Sequence, residues 1–307
     1  MKDIDLKNNR WVHLGLLLFI SLLFYLPLND FGFIVDDPTL IAGRAEELAD
    51  LSNVPGYFIS GFWTSEGEHF FYYRPLITTI NALSAAMFGL KPGWFHMTNL
   101  LVHLLNLTLL FLILSKIFEN RLTVFWSLLI YSVHPLAVPS IAWIYGRTDL
   151  FAMLFMLLSL WTFLRYSEKR VVLFLVISLV SYFMGCLSKE TAVLLPVFVL
   201  VWVLLQRTGK RSWIRVLAFV PVMLIYMVIR LIVRSGIDIP VISISFSFAN
   251  LAYVPGVFMY YMSKVIAPVN IAFIPNSTDI LRINIGIILG TVTVLTLCGL
   301  LLKRYGR

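Results

Sequence analysis

Long apolar runs separated by short polar connectors recur along the whole chain, near residues 11–28, 76–90, 97–114, 123–138, 149–164, 171–187, 191–205, 216–233, 251–267 and 283–302. Runs of this kind carry helices across a hydrocarbon layer of ~30 Å, where a helix satisfies its own backbone hydrogen bonds. The pattern predicts an all-α fold, a polytopic transmembrane helical bundle forming a single membrane domain over residues 1–307. No Pro/Ser/Gly-rich linker, tandem repeat or low-complexity tract marks a second domain. The first run follows Lys2, Lys7 and Arg10 as a signal peptide would, but it lacks a small-residue cleavage pattern and leads into Pro27 and Asn29. It is expected to be a retained helix.

The polar connectors differ in sign. "RYSEKR" at 165–170, "QRTGKRSWIR" at 206–215 and the terminal "KRYGR" are basic and belong on the cytoplasmic side. Residues 29–75 form an acidic connector, in which Asp30, Asp36, Asp37, Glu46, Glu47, Asp50, Glu66 and Glu68 face only Arg44 and Arg74, and this loop is expected outside. If the amino terminus is inside and every run crosses, Lys116, Arg121 and "RYSEKR" all fall outside, against the basic-inside preference. One run among the first four is therefore expected to be half-crossing or re-entrant, and another irregularity is expected between 235 and 282. Within the acidic loop, Asp37 before Pro38 signals a helix start with Asp37 as N-cap. Leu40, Ile41, Ala45 and Leu48 then share one face, which predicts an amphipathic juxtamembrane helix, with a second over 55–63.

Composition agrees. With 60% hydrophobic and 13% charged residues, and a mean hydropathy of +0.89, the chain lacks the polar surface of a soluble globule. The formal charge of +8 resides in connectors beside apolar runs, the arrangement of an oriented membrane protein rather than of a nucleic-acid binder. Cys186 and Cys298 both sit inside apolar runs and read as small buried hydrophobes, with no disulfide framework or metal pattern.

Candidate chemistry lies where charge meets these runs, since each ionisable group there costs about 2.5–3.5 kcal/mol unless paired or hydrated. Asp36 has no capping duty and is a candidate general base for a hydroxyl, or a cation ligand. Four further stretches carry such groups: "YYRPL" at 72–76 with Tyr73 and Arg74, "FHMTNLLVHLLN" at 95–106, "HPLAVPSIAWIYGRTDL" at 134–150 with His134, Arg147 and Asp149, and "LSKET" at 187–191 with Lys189 and Glu190. His96, Asn99, His103 and Asn106 fall on one helical face. Two histidines seven residues apart are ~10.5 Å apart along a helix, too far to share a zinc, so the stripe reads as interhelical hydrogen bonding or as the lining of a polar cavity. The bland alternatives are an Arg147–Asp149 ion pair capping a helix and a hairpin that carries Lys189 and Glu190 harmlessly. Arg74, Arg147 and Lys189 together suit a phosphate or pyrophosphate, which arginine meets with a bidentate fork and lysine as a point charge.

An acidic pair after the first membrane helix, Tyr-Arg-Pro-Leu, His-x-x-Asn-x-x-x-His, His-Pro with a downstream Gly-Arg-x-Asp-Leu, and Lys-Glu follow one another here, with "YYMSKVIAPVNIAFIP" at 260–275 behind them. In that order they resemble the membrane half of the transmembrane and tetratricopeptide-repeat O-mannosyltransferases and their prokaryotic relatives, of the GT-C glycosyltransferase superfamily. The resemblance implies a GT-C bundle that moves a sugar from a polyprenyl-phosphate carrier to an acceptor hydroxyl, on a protein or a glycan, on the extracytoplasmic side. The compact, prokaryotic-looking form without a dedicated retention signal leads us to expect a plasma (inner) membrane. It implies Asp36 or Asp37 as base, Arg74, Arg147 and Lys189 near the carrier phosphate, and Tyr73, His96, Asn99, His103, His134, Asp149 and Glu190 as support. Pro139 stands about where eukaryotic members usually carry an acid, and the repeat domain that follows the membrane half in many members is not in this sequence, which leaves a natural short form, a truncated chain, or a partner subunit that supplies acceptor binding. No metal ligand set is fixed, although nearby acids leave a divalent cation open. Two other readings are a flippase for lipid-linked sugar and a catalytically inactive accessory subunit.

Overall fold

The structure, a computed structural model, describes residues 9–61, 72–205, 212–236 and 248–269, with the single positions 292 and 296. Every regular element among the described residues is helical. In chain order these are α1 (Arg10–Tyr25), α2 (Asp37–Leu40), α3 (Ala45–Ala49), α4 (Val54–Tyr57), α5 (Pro75–Phe88), α6 (Pro92–Ile117), α7 (Arg121–Ser132), α8 (Val138–Ala142), α9 (Arg147–Lys169), α10 (Val172–Ser188), α11 (Leu195–Leu205), α12 (Phe219–Ser235) and α13 (Phe248–Ile266). The chain divides into two units, Met1–Val133 with Ser140–Pro240, and His134–Pro139 with Val241–Arg307.

In the first unit, four helical stretches among the described residues are long and apolar enough to cross a membrane: Arg10–Asp30, Pro92–Ile117, Ile144–Lys169 and Trp213–Ser235. Pro75–Phe88, Val172–Ser188 and Glu190–Leu204 are apolar but shorter. Proline opens α5 and α6 at the first helical position, where its missing N–H has no intrahelical partner anyway. Gly89 ends α5 at φ +66°. The run expected over 123–138 yields only α7, which stops at Ser132. His134 precedes Pro135, and the proline ring disfavours helical geometry in the residue before it.

Contacts between helix ends show which ends share a side. At one end, Arg74 pairs with Glu190 and Lys189 with Asp149, Arg147 donates to the Phe95 carbonyl, Tyr25 donates to the Ser132 carbonyl, and a side chain on Gly93 would strike Asn29. At the other end Lys116 pairs with Glu168. The helix α5 contacts the first end at both of its own termini, through Arg74–Glu190 and through Phe88 stacked on Trp94 at 4.7 Å. Its 14 residues span only about 21 Å. Both of its termini therefore lie at this end of the bundle.

Two apolar cores hold this unit. One joins α1, α6 and α7 through Leu17, Leu107, Phe111 and Val124. The other joins α5, α9, α10, α11 and α12 around Phe163, Tyr182, Cys186, Phe219 and Tyr226. The helices α9 and α10 form an antiparallel hairpin turned at Arg170, which is left-handed at φ 57°. Ser159 and Ser178 exchange hydrogen bonds across it, Ser159 Oγ to Ser178 O at 2.7 Å and Ser178 Oγ to Ser159 O at 2.8 Å. Gly185 lets α10 approach Ala192 and Phe155.

The acidic loop is helical in short pieces rather than as one amphipathic helix: α2, α3 and α4 alternate with 3-10 turns at Ala42–Arg44 and Leu51–Asn53. Leu40, Ile41 and Leu48 are nonetheless buried, and α3 and α4 pack on α5. Phe62 and Trp63 lie outside the described residues, as do Cys298 and the run at 283–302. In the second unit, His134 Nδ1 accepts from Leu136 N at 3.2 Å and its Nε2 lies 3.1 Å from the Val265 carbonyl of α13.

Candidate functional site: an acidic turn tied to a buried arginine

The Asp36–Asp37 turn is closed from both directions. Asp37 N donates to Ile34 O, and Ile34 N donates to Asp37 Oδ2 at 3.1 Å. Asp37 Oδ1 takes the backbone N–H of Tyr145 at 3.0 Å, which pins the loop to the turn that opens α9. Asp37 is thus not the N-cap expected of it. It occupies the first position of α2, and its carboxylate makes no capping bond, because both oxygens are committed to N–H groups of which Tyr145 N is itself buried. Asp37 is fully buried, while its neighbour Asp36 is half-buried, with no side-chain hydrogen bond among the described residues. Burial pushes the Asp37 carboxyl above the ordinary carboxylate range, and the N–H groups of Ile34, Tyr145 and Ile144 with the Arg147 charge only partly offset this. Val35, just before the pair, sits at φ 54°, a costly conformation for a β-branched residue.

Arg147, the first residue of α9, is wholly enclosed. Its Nε donates to Asn99 Oδ1 at 3.1 Å, Nη1 to Asn81 Oδ1 at 2.6 Å and Nη2 to the Phe95 carbonyl at 3.0 Å, with the guanidinium 5.0 Å from the Phe95 ring centre. The Arg147–Asp149 pair considered from sequence does not form: Asp149 instead accepts from Lys189 Nζ at 2.6 Å. Asn99 also donates to the carbonyls of Ile141, Trp143 and Ile144, at 3.2–3.3 Å. Asn106 donates to Leu150 O at 2.9 Å. The polar stripe of α6 is thus an interhelical one through its asparagines. Its histidines are buried: His96 lies against the backbone of Phe31 and Gly32 without a well-formed hydrogen bond, and His103 packs its ring on Tyr25 at 5.4 Å.

Arg74 and Glu190 form a two-point fork, Nε to Oε2 at 3.1 Å and Nη2 to Oε1 at 2.9 Å, and Tyr72 lies 4.5 Å from the guanidinium. Tyr73 donates to Phe58 O and anchors the end of the loop. The hairpin residues Lys189 and Glu190 are therefore both engaged, and they tie the start of α9 to the start of α5. No cluster of three or more His, Cys, Asp or Glu residues suited to a metal ion occurs among the described residues.

Residues 74–234, just over half of the chain, match the family model described as dolichyl-phosphate-mannose-protein mannosyltransferase. The chain belongs to this family. It is 33% identical over 156 residues to human protein O-mannosyl-transferase TMTC2, covering 49% of this chain and 18% of that protein. To human TMTC1 it is 29% identical over 171 residues, 51% of this chain and 19% of that protein. The Drosophila melanogaster protein Tmtc1 is 24% identical over 178 residues, 57% and 20% respectively. The chain thus spans about a fifth of the length of these relatives. No solved structure matches.

Arg74, Asn99, Arg147, Asp149, Lys189 and Glu190 lie inside the segment matched by the mannosyltransferase family, whereas Asp36 and Asp37 precede it. Of the residues singled out from sequence, the structure joins Asp37, Arg147 and Asn99 in one network, and Arg74, Glu190, Lys189 and Asp149 in another, both at the same end of the bundle. His134 belongs to the second unit. Sequence reasoning passed over Asn81, Tyr145 and Arg44. A lone Asn within the apolar run "LITTINAL" was the available signal for the first. Tyr145 is buried, and its phenol lies within electrostatic reach of Arg44, Arg74, Arg147 and Asp37.

Proposed function

We propose that the chain is an integral-membrane glycosyltransferase moving a mannosyl or related hexosyl group from a polyprenyl-phosphate carrier to an acceptor hydroxyl on the extracytoplasmic side. The observation that carries this reading is the convergence of the acidic turn with the Arg74–Glu190 and Lys189–Asp149 pairs at one end of the bundle, in a chain of the mannosyltransferase family. That end is opposite the one where Lys116 pairs with Glu168 of the basic connector. With α5 lying along one end, α1, α6, α7, α9, α10, α11 and α12 cross in alternation from an inside amino terminus. Lys116, Arg121, "RYSEKR" and "QRTGKRSWIR" then all fall on the cytoplasmic side, as their charge requires. The acidic turn falls outside.

In this reading the bond between the sugar C1 and the carrier phosphate oxygen breaks as the acceptor oxygen attaches to C1, the acceptor proton passes to Asp36, and polyprenyl phosphate leaves. A phosphate leaving group needs its developing charge stabilised more than it needs a proton, which is the part for Arg74 and Lys189. Asp36 is the base because it is half-buried without a side-chain partner among the described residues, whereas both oxygens of Asp37 are already held. Asp37 and Arg147 act by positioning: one ties the turn to Tyr145, and the other fixes the start of α9 against α5 and α6. The names of the relatives favour a protein hydroxyl as acceptor. The test is purified chain in sealed proteoliposomes given radiolabelled mannosyl-phosphoryl-polyprenol and an acceptor peptide mixture. Label in peptide supports the reading; label that crosses the bilayer still attached to its lipid supports a flippase instead.

A further inference from the structure

At the end of the bundle away from the acidic turn, the last turns of α6 and α9 bring two cations to one indole. Trp161, Arg165 and Glu168 fall at i, i+4 and i+7 on α9 and so share a face. Lys116, in the last turn of α6, reaches across to them: its Nζ lies 4.8 Å from the Trp161 ring centre and 2.5 Å from Glu168 Oε1. The Arg165 guanidinium lies 5.8 Å from the same ring, and its Nη1 is 3.5 Å from Glu168 Oε2. We propose that this cluster binds the phosphodiester headgroup of an anionic phospholipid, with Lys116 and Arg165 as its cationic ligands and Trp161 as the platform between them.

The donors are available. Arg165 makes no hydrogen bond among the described residues, because 3.5 Å is too long for one, and an ammonium group such as that of Lys116 has donors to spare beyond its bond to Glu168. Lys116, Arg165 and Glu168 keep 22%, 32% and 49% of their side-chain surface open, so a headgroup can reach them. Their depth selects a lipid as the occupant. The helix α9 carries no charge from Leu150 to Leu164, and charge begins at Arg165, so the cluster lies where hydrocarbon gives way to headgroups, the level that tryptophan favours and to which long cationic side chains extend. Around it, residues 116–121 and 165–170 set five cations against two acids, which attracts an anionic membrane surface. Glu168 is the internal counter-ion of both cations; a headgroup phosphate takes over that part, so removing the acid favours the lipid. The competing duty of Lys116 and Arg165 is to offset the negative ends of α6 and α9, which is a matter of stability alone.

The experiment is native mass spectrometry of the full chain released from detergent micelles that carry dioleoyl-phosphatidylglycerol and dioleoyl-phosphatidylcholine in equal amounts, with thermal unfolding in lipid-free detergent beside it. Wild type is expected to retain phosphatidylglycerol in preference to phosphatidylcholine. Lys116→Gln and Arg165→Gln are each expected to weaken phosphatidylglycerol binding about fivefold, and together roughly twenty-five-fold. Glu168→Gln is expected to keep or raise it, and all of these variants to melt within about 2 °C of wild type, since the pairs they break are solvent-accessible. The Lys169→Gln/Arg170→Gln double variant removes the same charge from the same connector but leaves the Trp161 cluster whole, and its binding is expected to stay within about twofold of wild type. An equal loss in that variant reports diffuse attraction and overturns the discrete site. Equal retention of both lipids by wild type overturns it too, as does a preference that survives Lys116→Gln/Arg165→Gln or is lost in Glu168→Gln. Weakened binding accompanied by a lower melting temperature in lipid-free detergent reports damaged helix ends and also overturns it. Displacement of the bound lipid by millimolar inorganic phosphate overturns the lipid as the occupant.

Discussion

Arg147→Met removes the guanidinium while filling most of its space, and its effect follows from what is left behind. Three acceptors lose their donor inside the protein: Asn81 Oδ1, Asn99 Oδ1 and the Phe95 carbonyl. Each orphaned buried acceptor costs about 1–3 kcal/mol. Part of the total of ~3–9 kcal/mol is offset because a desolvated cation is no longer buried, which brings the expected loss to ~3–5 kcal/mol, the range for breaking a buried charged network from one side. At about 2–4 °C per kcal/mol the melting temperature falls by roughly 6–20 °C. Thermal unfolding of the purified variant in detergent, followed by tryptophan fluorescence, reads this directly. Lys116→Met is the control, because its pair with Glu168 is solvent-accessible and worth only ~0–1 kcal/mol. Adding Asn81→Leu to Arg147→Met removes one orphan, so the double variant is more stable than the sum of the singles by about 0.5–3 kcal/mol. An Arg147→Met protein that melts within about 2 °C of wild type refutes the claim that this arginine organises the end of the bundle.

Gly93→Ala places a Cβ 2.6 Å from Asn29 O and 2.7 Å from its Oδ1, so the loop must shift; the variant is expected to melt several degrees lower, at about 1–3 kcal/mol for overpacking. Val35→Gly relieves the positive φ beside the acidic pair, and thermal unfolding is expected to show a gain of about 1 kcal/mol. For Asp37, whose carboxyl titrates above the ordinary range because it is buried, the folded chain holds the proton to higher pH than the unfolded chain. Its contribution is therefore present below the unfolded carboxylate range and is lost as pH rises through the raised folded value. The stability of wild type relative to Asp37→Asn should rise on acidification toward about pH 4, by up to ~1.4 kcal/mol per unit of displacement; a flat difference across that range contradicts it. Ser159→Ala is expected to cost about 0.6 kcal/mol, the usual worth of a hydrogen bond between membrane helices.

Hydropathy made the helical bundle legible, because a lipid-spanning helix writes its whole length into one apolar run, and α6, α9 and α10 fall where the runs place them. The charge pattern called for one half-crossing or re-entrant run among the first four without saying which. Contacts at both ends of α5 make it the candidate, since its 14 residues look much like a short crossing helix in composition. The candidate site was legible as a set of residue types but not as pairings. Arg147 and Asp149 are two apart in sequence, yet α9 turns one inward to Asn81 and Asn99 and the other toward Lys189. Asp37 before Pro38 has the local signature of a cap, and a distant backbone N–H, that of Tyr145, claims its carboxylate instead. Such tertiary competition leaves no trace within a few residues of the motif.

The most direct test of the account compares wild type, Asp36→Asn and Asp37→Asn, purified in nanodiscs, for release of free polyprenyl phosphate from mannosyl-phosphoryl-polyprenol in the presence of acceptor. The account predicts release by wild type, its abolition in Asp36→Asn with carrier binding and melting temperature unchanged, and a loss in Asp37→Asn accompanied by a lower melting temperature. Undiminished release from Asp36→Asn, or no release from wild type that binds the carrier, contradicts it.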